Sequence, residues 1–223
     1  MSEVSRKVTI AEIHGPILVP DSPYRMWVDG TLDDYLRVPD GSRVEIIDGE
    51  IVVSPAPITR HNHAVRHLAG LFYLRGATGS AYRWREYQTE GLNFLAEESG
   101  FIPDLLVLDR ELEQEALQGN ARELLPDQVE LVVEVTSEGS ASVDRPPTAG
   151  QRRNKWRAYA RAEIPYYLLV DLDPQVATTT LYSIPDPASA AYLHSESWAL
   201  GETTVLPDPL TLEIPTDTWL TWA

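Results

Sequence analysis

Two carboxylates stand where charged side chains are costly. Asp104 lies in the run Phe101-Ile102-Pro103-Asp104-Leu105-Leu106-Val107-Leu108, and Glu134 in Leu131-Val132-Val133-Glu134-Val135-Thr136. An ionised carboxylate inside a short apolar strand is expensive unless it is paired, hydrogen-bonded or bound to a cation, and two of them on neighbouring strands ask for a shared account. Hard oxygen ligands suit Mg²⁺ or Mn²⁺, and Mg²⁺ typically takes one or two protein carboxylates and leaves its other positions to water and substrate phosphate. A metal so held polarises a phosphodiester and activates water, which makes phosphodiester hydrolysis the chemistry in view. A purely structural account stands beside it. Asp104 follows a proline and can accept from backbone N–H groups, and Glu134 can pair with an arginine. The residues alone leave both open.

The elements that must position these groups can be read from periodicity and turn chemistry. Residues 1–30 show no sustained period and carry Pro16, Pro20 and Pro23, as an extended or poorly ordered leader would. Thr31 can cap a short helix that Pro39 and Asp40-Gly41 stop. Strands Arg43–Ile47 and Glu50–Ser54 flank Asp48-Gly49, a dipeptide suited to a tight hairpin turn. Helical spacing from Ala64 to Phe72 predicts a helix over about 60–75, and alternation around Gly91 predicts one or two strands over 82–95. The carboxylates fall in predicted strands 102–108 and 129–136, separated by an acidic helical stretch ending near Pro126. A loop over 137–150 then leads to a helix over 151–162, strand Tyr166–Asp171, a hairpin of 178–183 with 192–200, and a closing segment over 205–214. This order predicts an α/β or α+β fold, one mixed central sheet flanked by helices with extra β-hairpins. A single domain is expected over 31–215, between an N-terminal extension, 1–30, and a tail, 216–223.

Composition narrows the function. The 223 residues are 43% hydrophobic and 23% charged, as in an ordinary folded domain. No apolar run approaches the roughly 18 residues of a membrane helix, and no signal peptide is evident, so a soluble cytoplasmic protein is expected. The absence of cysteine excludes disulfides, thiolate metal sites and cysteine nucleophiles. No GxxxxGK loop or GxSxG elbow occurs, which disfavours ATP-driven and serine-hydrolase chemistry. His63 and His67 lie four apart on the predicted helix, with His61 nearby, but no zinc-protease pattern accompanies them. The net charge of −16 opposes nucleic acid as a partner. Eleven of the 18 Lys and Arg residues, however, fall in two acid-free windows, 51–85 and 145–162. If those windows meet in space they form a positive patch on a negative body; otherwise they are two solvated helix faces.

Pro103-Asp104, followed by Glu134-Val135-Thr136-Ser137, resembles the PD…(D/E)xK signature of restriction-endonuclease-like nucleases, with Thr136 in place of the usual lysine. The wider pattern runs from Arg43-Val44-Glu45-Ile46-Ile47-Asp48-Gly49-Glu50 through Ser54-Pro55 and His61. It continues with Lys155-Trp156-Arg157-Ala158-Tyr159-Ala160 and Ile164-Pro165-Tyr166-Tyr167. Over most of 30–215 it is similar to the Uma-type restriction endonuclease family. The resemblance implies a restriction-endonuclease-like fold and an endonuclease that hydrolyses DNA with Mg²⁺ or Mn²⁺. It implies Asp104 and Glu134 as metal ligands with the Val135 backbone carbonyl as a third. Lys155 would be the relocated lysine and Glu45 a further carboxylate. His61, Gln151, Arg152 and Arg153 would contact phosphate or nucleic acid. The stretch between Asp144 and Lys155, with Pro146-Pro147, is longer than the family pattern. A homodimer would supply the two active sites that cutting both DNA strands commonly needs. The competing readings are a catalytically inactive nucleic-acid-binding or regulatory protein that keeps the fold, and a protein-interaction module whose acidic surface is the working face.

Overall fold

The computed structural model describes residues 19–79, 81–151 and 154–222. In chain order the elements are α1 (Pro23–Val28), α2 (Leu32–Leu36), β1 (Arg43–Ile47), β2 (Glu50–Ser54), α3 (Thr59–Thr78), β3 (Trp84–Tyr87), β4 (Gly91–Phe94), β5 (Ser99–Phe101), β6 (Leu105–Asp109) and α4 (Arg110–Gly119). They continue with β7 (Glu123–Leu124), β8 (Val129–Val135), α5 (Ala141–Asp144), α6 (Lys155–Arg161), β9 (Tyr166–Asp171), β10 (Thr178–Asp186), β11 (Ala191–Ala199), β12 (Thr203–Leu206) and β13 (Leu212–Pro215).

The central sheet has the order β11-β10-β9-β8-β6-β3, with β8 and β9 parallel and the other pairs antiparallel. It is therefore mixed, as expected, and α5 and α6 form the crossover between its parallel strands. Side chains alternate between faces along a strand, so residue parity assigns them to layers. Leu105, Val107, Leu131, Val133, Val135, Leu168 and Val170 pack with Leu68 and Phe72 of α3 and with Leu206, Leu212 and Ile214 of the β12–β13 hairpin. Leu106, Leu108, Val132, Tyr167 and Leu169 face the other way, against Trp156, Tyr159 and Ala160 of α6 and against Phe94 and Phe101. Both faces are covered, which is why these strands read as near-continuous apolar runs.

A second sheet, β2-β1-β5-β4-β7, grows from the predicted hairpin. Its turn has Asp48 at φ 56° and Gly49 at φ 77°, the positive angles such a turn requires. The strands expected around Gly91 separate, β3 joining the central sheet and β4 the second. The segment before residue 31 includes α1, whose Met26 and Trp27 pack on Val44 and Ile46. Trp27 Nε1 donates to the Val44 carbonyl at 2.9 Å. Among the described residues no helix is long and apolar enough to cross a membrane.

Several local expectations are corrected. The Thr31 hydroxyl donates to the Met26 carbonyl at 3.3 Å and does not cap α2. Asp104 lies between β5 and β6 and is not within a strand, because Pro103 has no N–H to continue the ladder. The loop over 137–150 contains α5. The helix predicted from 151 starts only at Lys155: Gly150 has φ 83°, and Asn154 caps the helix by accepting from the Arg157 N–H at 2.9 Å.

Gly100 faces the Trp27 ring so closely that an added Cβ would overlap three of its carbons. Gly100→Ala should therefore lift α1 from the sheet and cost about 1–3 kcal/mol. Urea denaturation measures the loss, and Trp27→Ala/Gly100→Ala should show strong non-additivity with the single variants.

Candidate active site

Parity in the two sheets builds the site. Glu134 points to the same side as Val132, and Glu45 to the same side as Ile47, so both enter the layer between the central sheet and α6. Asp104 joins them from the β5–β6 junction. Lys155 and Tyr159, one turn apart on α6, reach the same place. Lys155 Nζ lies 2.8 Å from Glu45 Oε1 and 3.0 Å from Glu134 Oε1. The Tyr159 hydroxyl donates to the same Glu134 oxygen at 2.5 Å. The Ile102 N–H donates to Glu45 at 2.8 Å. Asp104 accepts from Arg43 at 2.6 Å on one oxygen, and on the other from the Val135 N–H at 2.7 Å and His61 Nε2 at 3.0 Å. Glu45, Asp104, Glu134 and Lys155 are each at most 5% exposed.

Four predicted residues, three on separate elements and Asp104 at a strand junction, thus form one buried cluster, with His61 at its edge. The Val135 group that faces Asp104 is its amide. Gln151 lies ahead of α6, where its side-chain amide donates to the Ser142 carbonyl at 2.5 Å. Arg152 and Arg153 lie outside the described residues. His63 and His67 are apart from the cluster and meet the C-terminal segment, His67 Nδ1 accepting from Trp219 Nε1 at 3.0 Å. Thr136, at the position where the resemblance places lysine, is 1% exposed; its hydroxyl donates to Asp171 at 3.1 Å and accepts from the Leu172 N–H at 3.0 Å.

Sequence reasoning missed four contributors. Arg43 enters the sequence reading only as part of a motif, although its guanidinium donates to Asp104 at 2.6 Å. Tyr159 read as an apolar helix residue. Asn154 fixes where α6 starts, since its side chain also donates to the Val143 and Arg145 carbonyls at 3.0 and 2.7 Å. Asp144 closes α5 and is 1% exposed, with Oδ1 buried and unpartnered among the described residues. The loop composition gave no sign of it.

The electrostatics follow from too many carboxylates for the cations available. Burial would raise the Asp104 pKa, but His61, Arg43 and the Val135 amide outweigh burial and hold it below the usual range. Burial likewise opposes charge on Lys155, yet Glu134, Glu45 and Asp144 hold its ammonium well above the ordinary value. Glu134 shares that single ammonium with two other acids, so burial prevails and pushes it up to about 8. Asp144 is pushed up to about 6, again mainly by burial. Surplus buried negative charge and an unpartnered carboxylate oxygen suit a hard divalent cation. Among the described residues no three Asp, Glu or His side chains stand close enough to cage one. The donor set therefore fits an ion held by one or two carboxylates and water.

Several charges of the two basic windows are engaged by acids of other elements. Arg83 pairs with Asp109, Arg85 lies 3.9 Å from Glu113, and Arg145 holds Asp171 at 2.6 and 2.8 Å and Asp173 at 2.8 Å. Lys155 is buried. Arg157 and Arg161 remain solvent-facing and line a cleft of about 200 Å³ along α6 with Gln151, Asn154, Asp48 and Glu97.

The family model Uma2, described as "Putative restriction endonuclease", matches residues 32–217. The chain belongs to the Uma2 family. No curated protein matches it. The crystal structure of a "putative nuclease" from Anabaena variabilis is similar to this Uma2 chain, with 15% identity, a TM-score of 0.55, and coverage of 84% of this chain and 97% of that one. Membership of the family places the protein in a nuclease class, and the likeness to the solved structure extends to the fold.

Glu134 has an ordinary value of 4.5 and a folded value of about 8, so the stability it contributes is complete below about pH 4.5 and lost as pH rises through about 8. Glutamine cannot ionise. In EDTA, the stability of Glu134→Gln relative to wild type should rise steadily between about pH 5 and 8; urea melts at several pH values check this, and a flat difference refutes it.

Proposed function

We propose that the protein is a metal-dependent endonuclease that hydrolyses DNA phosphodiester bonds, with Mg²⁺ or Mn²⁺ held at Asp104 and Glu134. The observation that carries this reading is the burial of the Lys155 ammonium between Glu45 and Glu134, beside Asp104, in a chain of a nuclease family. A structural ion pair needs one acid for one base. Here four carboxylates from separate elements are gathered around few cations, at a cost that folding alone does not explain. When bound, the cation would supply Lewis acidity and neutralise phosphate charge.

The residues divide the work. Lys155 stays protonated at any working pH, so it cannot be a general base; it stabilises negative charge developing on the phosphate. Glu45 and the Asn154 cap hold its ammonium and its helix in place. Arg43 and His61 fix the Asp104 carboxylate, and Tyr159 fixes Glu134 by donating to it. The cleft along α6 offers a strand two guanidiniums, those of Arg157 and Arg161. The competing reading, nucleic-acid binding without cleavage, draws support from Thr136 and from the engagement of each central group by a neighbour.

Plasmid and single-stranded DNA cleavage with Mg²⁺ and Mn²⁺ at low salt tests the reading. Asp104→Ala and Glu134→Ala should lose cutting, and Lys155→Ala should lower kcat about 10²–10³-fold, the usual scale for one transition-state donor. Binding without cutting in wild type, unchanged in the carboxylate variants, would favour the competing reading.

Arg157→Ala and Arg161→Ala should weaken binding to all sequences alike, and each should reduce the slope of log K against log salt by about one. Filter binding over a salt series measures both effects.

A further inference from the structure

On one side the central sheet ends in β11, which pairs with β10 and has no further strand beyond it among the described residues. Sheet edges are ordinarily blunted by shortness, lysine, proline or a covering element, because their free backbone groups invite another strand. The opposite edge follows that rule. β3 is four residues long, and the Tyr87 hydroxyl ties it to Glu113 of α4 at 2.9 Å. β11 does not follow it. It is nine residues long and contains neither lysine nor proline, and every residue from Leu193 to Ser197 is exposed, Leu193 at 66%.

Backbone parity says which groups of β11 are free. The Leu200 N–H donates to the Ala177 carbonyl at 2.8 Å. In the same register Thr179 pairs with Trp198, Leu181 with Glu196 and Ser183 with His194, so these residues of β11 turn their N–H and C=O groups toward β10. Leu193, Ser195 and Ser197 turn theirs outward. Beyond them the edge closes, because the Ala199 N–H donates to the Glu202 carboxylate at 2.8 Å. The open stretch is therefore Leu193-His194-Ser195-Glu196-Ser197.

A second copy of the same stretch fits this edge when laid antiparallel to it. Outward donors meet outward acceptors only where odd-numbered residues oppose odd-numbered ones. Centred on Glu196, such a register sets two glutamates face to face, and centred on His194 it sets two imidazoles face to face. Centred on Ser195, it sets His194 of each copy opposite Glu196 of the other. An imidazole N–H then donates to a carboxylate twice, at the closely spaced positions where cross-strand pairs interact most strongly.

We propose that the protein forms a homodimer in which β11 pairs with β11 of a second copy, antiparallel about Ser195. The contact uses no residue of the buried cluster and stands independently of the nuclease reading. Its two-fold axis is perpendicular to the sheet, so the two six-stranded sheets join edge to edge and α6 lies on the same face in both copies. With the order β11-β10-β9-β8, the two Glu134 strands lie roughly 30–35 Å apart along the joined sheet, at about 4.8 Å per strand.

Sedimentation velocity of the full chain over about 1–300 µM tests this. The contact is short, so a dissociation constant of about 10–100 µM is expected. Ser195→Pro removes an outward N–H and puts a ring in the path of the second strand, while the bonds to β10 stay in place. It should weaken dimerisation at least about tenfold. Glu196→Lys should weaken it about five- to tenfold, and His194→Glu/Glu196→Lys should restore it, since the cross-strand pair returns with its charges exchanged. Melting midpoints verify folding, and if Ser195→Pro does not fold, the charge exchange carries the test. Wild type that stays monomeric over this range overturns the proposal and leaves the edge to another occupant. A dimer that neither Ser195→Pro nor Glu196→Lys weakens has its interface elsewhere and overturns it equally.

Discussion

A single ammonium, that of Lys155, sits inside the protein with more carboxylates around it than it can neutralise. Most of the architecture can be understood as what is needed to hold that arrangement. The ammonium is nearly inaccessible to water, so it persists only because Glu45 and Glu134 approach within 3.0 Å. Each acid is in turn held by donors that do not belong to the ammonium: the Ile102 amide for Glu45, and the Tyr159 hydroxyl for Glu134. Asp104 forms a second, better balanced centre with Arg43 and His61. The result is a polar seam inside an apolar layer, and its negative surplus is what distinguishes it from a structural salt bridge.

Precision in such a seam comes from the scaffold. Two sheets contribute one acid each by strand parity, and α6 contributes a lysine and a tyrosine by the spacing of one turn. The least regular part, the crossover from β8 to α6, is pinned by Asn154, which caps the helix and ties it to the carbonyls at the end of α5. The C-terminal hairpin lies on the opposite face of the central sheet, where it covers α3 and leaves the seam to the other layer.

Much of this was legible in the sequence. Asp104 and Glu134 drew notice as charges in apolar runs, and the Asp48-Gly49 turn and strand Tyr166–Asp171 follow from local chemistry alone. The resemblance then brought in Glu45, His61 and Lys155. What escaped notice depends on contacts between distant segments. Asp144 sits in a stretch rich in Ser, Pro and Gly, and its burial comes from Tyr167 and α6, far away along the chain. Arg43 and Tyr159 have ordinary neighbours in sequence and unusual ones in space. The second sheet was invisible because β5 and β7 are only three and two residues long and have no period to read. The fate of the charges in the acid-free windows was hidden for a related reason: Arg83, Arg85 and Arg145 find their acids on other elements.

Thr136 has a structural task of its own. Its hydroxyl ties the end of β8 to the end of β9 through Asp171 and the Leu172 amide, and Asp171 is also the anchor of Arg145. A lysine at 136 would break that tie at a buried position and bring another long cation into a fold that already houses one. Position 136 thus answers to the junction of two strands and position 155 to the polar seam, so the two side chains meet different demands although they lie in the same layer of the fold.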